Sequence, residues 1–100
     1  MAGGLTEGLS SSAKAQFVVL RQRYAAGLAS RWTEISTAQD SQALLAALHR
    51  LAGSAASFGF ERLGQCARDA EARAAQDNPA ALARALEEIL AEIGRIVEGA

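Results

Sequence analysis

Apolar residues recur at spacings of three and four along nearly the whole chain, and a single proline, Pro79, interrupts its 100 residues. That period lines one face of successive amphipathic helices and differs from the strict alternation of a half-buried strand. The first run starts at Ser12, a natural N-cap, and places Phe17, Leu20, Tyr24, Leu28, Trp32 and Ile35 inward as one long helix. The segment Ser36 to Ser41 breaks the pattern, with Asp40 or Ser41 placed to cap a second helix that carries Leu44, Leu48, Leu51, Ala55 and Phe58 and stops at Gly59. A third helix takes Phe60, Leu63, Ala67, Ala70 and Ala74 inward. Asp77-Asn78-Pro79 then supplies a cap and a proline at the first helical position of a fourth, with Leu82, Leu86, Ile89, Ile93 and Ile96 on its inner face.

Short links between comparable helices make neighbours antiparallel, so the expected fold is all-α, an up-down-up-down four-helix bundle over residues 12–100. Residues 1–11 read as a flexible lead-in or a short extra helix, in which Leu5 and Leu9 pin a turn onto the bundle. The length suits one domain with one core. Half the residues are hydrophobic but only 5% are aromatic, so that core is thin and built from small side chains.

Ten basic residues against eleven acidic ones leave a formal charge of −1, which provides no global field for nucleic acid or an anionic membrane. No run approaches the roughly 18 apolar residues of a membrane span, and Met1-Ala2-Gly3-Gly4 lacks the features of a signal peptide, so a cytoplasmic protein is expected. One His and one Cys are too few for a metal site or a disulfide, and no Gly-rich phosphate loop or paired-carboxylate constellation is evident. Cys66 reads as a small packing residue, having neither a second Cys nor an electropositive setting.

Any chemistry therefore falls to His49. At ~100° per residue it sits about 100° from Leu48, on the side away from Leu51 and Phe58, and so points out of the core. Its neighbours on that face are Gln42, Leu45, Ala46, Ala52, Gly53 and Ala56, none of them charged. A face that met only water would more often carry Lys, Glu or Arg. Gly53, one turn beyond His49, costs about 1 kcal/mol relative to Ala inside a helix, which points to close approach of another molecule. Gly27, Gly64 and Gly94 also fall inside expected helices, so a glycine there is not diagnostic by itself.

The run His49-Arg50-Leu51-Ala52-Gly53-Ser54-Ala55-Ala56-Ser57-Phe58-Gly59-Phe60 resembles the signature of histidine phosphotransfer (HPt) domains, and Leu63 and Ala70-Glu71 fit the columns that follow. Two departures stand out: the family's frequent Lys three residues after the His is Ala52, and Cys66 lies one position before a column that often holds Cys. The resemblance implies a phosphorelay carrier, not an autonomous enzyme, in which His49 accepts a phosphoryl group from a receiver-domain phospho-Asp and passes it to another receiver. It implies no cofactor, with Mg²⁺ supplied by the receiver. Glu71 is implied as the group that orients the imidazole, although pairing with Arg68 would equally occupy it. The expected partners are response-regulator receivers, those of a hybrid histidine kinase among them, meeting a monomer over Leu45, Arg50, Ala52, Ala56 and Arg62. The competing reading is a structural or regulatory helical bundle without phosphotransfer. A histidine-kinase dimerisation domain fits less well, because its His is usually followed by Glu or Asp and Arg50 stands there.

Overall fold

The computed structural model describes residues 11–99. The lead-in expected over residues 1–11 lies outside the described residues apart from Ser11, which is the first residue of α1. The described chain forms α1 (Ser11–Ala26), α2 (Leu28–Ser36), α3 (Ser41–Ser57), α4 (Glu61–Ala75) and α5 (Pro79–Gly99), with no strand among the described residues.

The long first helix of the sequence reading is α1 and α2 together. At Gly27 the amide donates to both Arg23 O (3.1 Å) and Tyr24 O (3.0 Å), and Arg31 N resumes the ladder on Gly27 O at 3.2 Å. The helix thus tightens locally and continues, with a residue of poor helix propensity at the break.

Local chemistry accounts for the other boundaries. Asp40 Oδ1 accepts from Ala43 N at 2.8 Å and caps α3. At the far end Gly59 adopts φ +82°, the left-handed conformation in which a Cβ is costly. Gly59 N donates to Ala56 O (3.1 Å) and Phe60 N to Ala55 O (2.9 Å), the paired bonds that close a helix before a sharp reversal. Asn78 Oδ1 accepts from Ala81 N at 3.2 Å and caps α5, where Pro79 needs no partner for an amide hydrogen it lacks.

The elements pack as a ring. α4 lies between α3 and α5 and makes its extensive contacts with both, while α2 closes the ring against α3 and α5. This is an all-α helical bundle. Its core holds Leu28, Leu48, Leu51, Leu63 and Ile89 fully buried, filled in by Ala47, Ala55, Ala67, Ala70 and Ala85. The α3–α4 seam is narrow: a Cβ built on buried Gly64 would lie 3.3 Å from Ala52 O and 3.6 Å from Ala56 N. Gly64 is therefore a packing requirement that lets two backbones approach.

Among the described residues, the ring and hydrogen-bond anchors of α1 lie toward its C-terminal end. The Tyr24 ring stacks on Phe58 (4.8 Å between centroids) and Phe60 (5.8 Å), and its hydroxyl is 2.7 Å from Ser54 Oγ. Arg21 Nε donates to Phe58 O at 2.8 Å, and its guanidinium lies 4.1 Å from the Phe60 ring centroid. Toward the N-terminus the expectation of an inward face fails: Phe17 and Leu20 are each 47% exposed. Val18, Arg21 and Gln22 face Ile96 and Gly99 of α5 across an open cleft, so α5 flanks this helix without covering Phe17 or Leu20. The envelope is elongated, 51 × 25 × 20 Å.

Candidate functional site: an exposed histidine on the α3–α4 seam

His49 stands in the middle of α3 with its side chain 79% exposed. Across the seam, α4 presents Glu71, whose Oε2 lies 3.1 Å from His49 Nδ1. Two residues 22 apart in sequence meet because the tight reversal at Gly59 folds α4 back along α3, and because Gly64, Ala52 and Ala56 let the helices approach closely. The hydrogen bond decides the tautomer. A carboxylate only accepts, so the proton of this bond resides on Nδ1, and in the neutral ring the free lone pair belongs to Nε2. Nε2 then carries the open lone pair of an imidazole that is both exposed and held.

The surroundings of His49 are open. A Cβ on Gly53 would have nothing within 4 Å, so no group among the described residues explains the glycine. Ala56 is exposed and Leu45 half-buried. Ala52 corrects the sequence reading: at 5% exposure it belongs to the core, because α4 closes over it at Gly64, and it offers no surface to a partner. Arg50 turns away from the seam and pairs with Glu34 of α2 at 3.1 Å. Arg62 is also displaced from its expected place beside His49. It lies on the other flank of α4, where Nε meets Glu92 Oε1 of α5 at 3.1 Å.

A family model described as Hpt domain matches residues 9–97. The chain belongs to the Hpt domain family. No curated protein and no solved structure shows a significant match. As an Hpt domain it serves histidine phosphotransfer in two-component systems and interacts with their receiver domains. His49 is the single histidine of the chain. Among the described residues no group of three or more His, Cys, Asp or Glu side chains converges as a metal site, and no helix is long and apolar enough to cross a membrane.

Sequence reasoning missed Glu92. This carboxylate is 9% exposed and lies between Arg62 Nε at 3.1 Å and Arg95 NH2 at 2.9 Å. Its position beside Ile89 and Ile93 was the available signal, since a Glu among the inner residues of a helix needs a buried partner. Glu92 also acts on Cys66: burial pushes the thiol up, and the Glu92 and Glu88 carboxylates push it further against the opposing pull of Arg62 and Arg95. A thiol held protonated in this way is a poor nucleophile.

Proposed function

We propose that this Hpt domain is a phosphorelay intermediate that accepts a phosphoryl group on His49 Nε2 from a receiver's phospho-Asp and returns it to the Asp of another receiver. The observation that carries the reading is an exposed imidazole whose Nδ1 is occupied by Glu71 at 3.1 Å. In the forward step the Nε2 lone pair forms the N–P bond as the P–O bond to the receiver's aspartate breaks, and that bond's electron pair leaves on the aspartate carboxylate. The ring keeps its Nδ1 proton and becomes a cationic phosphoimidazolium. Glu71 faces that proton, favours the charge and fixes the ring plane. Transfer to the next receiver reverses these bond changes.

The chain's contribution is positioning, and the receiver brings the acidic pocket and its metal. Gly53, Ala56 and Leu45 form the ground on which a receiver's active-site edge settles around His49. Arg50, neutralised by Glu34 on the α2 side, stays outside this ground.

Labelling from an activated receiver tests the reading. Wild type acquires an acid-labile, base-stable phosphoryl label, and His49→Gln acquires none. Glu71→Ala slows labelling by about tenfold, and Glu71→Gln, which keeps an acceptor oxygen, loses less. Absence of label in wild type under every receiver favours the interaction bundle without phosphotransfer. Equal rates in both Glu71 variants and wild type remove the orienting role alone.

A further inference from the structure

A phosphoryl group on His49 brings nearly two negative charges to within a few ångströms of the Glu71 carboxylate, so a cation is needed beside it. Ala52 supplies none. The cations of α2 lie on the other flank of α3 and those of α1 beside α2, α5 and the α3–α4 turn, since neither element contacts α4, and those of α5 lie beyond α4, since α5 does not contact α3. That leaves the four arginines of α3 and α4. Three are committed: Arg50 to Glu34 (3.1 Å), Arg62 to Glu92 (3.1 Å) and Arg73 to Asp69 (3.4 Å). The fourth, Arg68, is exposed and has no ion pair or hydrogen bond of its side chain among the described residues.

Its position fits the need. Arg68 precedes Glu71 by three residues, so the two side chains emerge as neighbours on one face of α4, separated by about 4.5 Å of helix rise. The register of the seam, with Glu71 opposite His49 and Gly64 opposite Ala52 and Ala56, sets Arg68 at the level of Ala52 and Gly53. Beside Gly53 nothing among the described residues fills the space that a Cβ would enter, which leaves a lane between Arg68 and the imidazole.

We propose that Arg68 is the cation that steadies the phosphoryl group on His49, reaching from α4 to supply the charge that α3 lacks at Ala52. The inference rests on the relay reading above. In the free domain the guanidinium is solvated. On transfer it swings over Gly53 and bonds the phosphoryl oxygens, opposing their repulsion by Glu71.

Phosphoramidate, a small donor that needs no receiver, separates this role from docking. Nε2 forms the N–P bond as the donor's P–N bond breaks and its electron pair leaves with ammonia. With the full chain, Arg68→Ala is expected to lower the initial rate of N-phosphoryl labelling about tenfold and to narrow that gap at high salt, while Arg68→Lys keeps most of the rate. Arg68→Glu falls below Arg68→Ala, and Arg84→Ala on α5 matches wild type. Circular dichroism verifies that each variant remains helical, as expected for an exposed site. Labelling of Arg68→Ala at the wild-type rate overturns the proposal and leaves the relay reading intact. Failure of wild type to take label on His49, from phosphoramidate and from receivers alike, overturns both.

Discussion

The two flanks of α4 solve different problems. Toward α3 it offers Gly64, Ala67 and Glu71, and the helices close until a single added carbon at Gly64 would press on the Ala52 carbonyl. Toward α5 it offers Arg62, whose partner Glu92 is held in turn by Arg95. The first flank has almost no side-chain bulk and sets a distance, that between His49 and Glu71. The second carries a buried carboxylate with its charge compensated and lies away from His49. In one helix, small residues set the approach of Glu71 to His49 and a charge cluster holds the scaffold.

The sharpest way to break this contrast is Gly64→Leu. A branched side chain entering the α3–α4 seam has backbone in its path, so the variant should lose about 1–3 kcal/mol in chemical denaturation. Labelling of His49 should fall with it even in the folded fraction, because Glu71 is carried away from the imidazole. Normal labelling in a folded Gly64→Leu protein would show that the seam does not set the site. Glu92→Gln probes the other flank. It removes the charge that joins Arg62 and Arg95 but keeps an acceptor, at a cost of about 1 kcal/mol, with phosphoryl labelling per folded molecule unchanged. A labelling defect there would mean that the two flanks are coupled through α4. The smallest effect is expected at the exposed start of α1, where Phe17→Ser should change stability by no more than about 0.5 kcal/mol in the same denaturation experiment. A loss of 2 kcal/mol would place Phe17 in a core that the described residues do not contain.

The elements were legible from sequence because their causes are local. The apolar period, Asp40 and Asn78 as caps, Gly59 at a left-handed turn and Pro79 at a first helical position each act within a few residues. The outward direction of His49 follows from the same counting, since the angle between His49 and Leu48 is a property of the helix alone. Periodicity did not tell Phe17 from Leu28, which share a face of the first helix. One is left half exposed and the other is fully buried. Nor did it separate Ala52 from Ala56, adjacent on the wheel, until α4 closed over the first and left the second in the open.

What the sequence determined by itself was a set of amphipathic helices, their ends, and one histidine turned out of the core beside small residues. Tertiary structure decided which alanines are covered, which glycine allows close approach, and which arginines are committed. Those properties depend on what stands opposite a residue. The partner of His49 is 22 positions away and that of Arg62 is on the next helix, so no local pattern contains them. Helix formation is set by hydrogen bonds and capping within a few turns, whereas burial and pairing are set by the packing of whole helices.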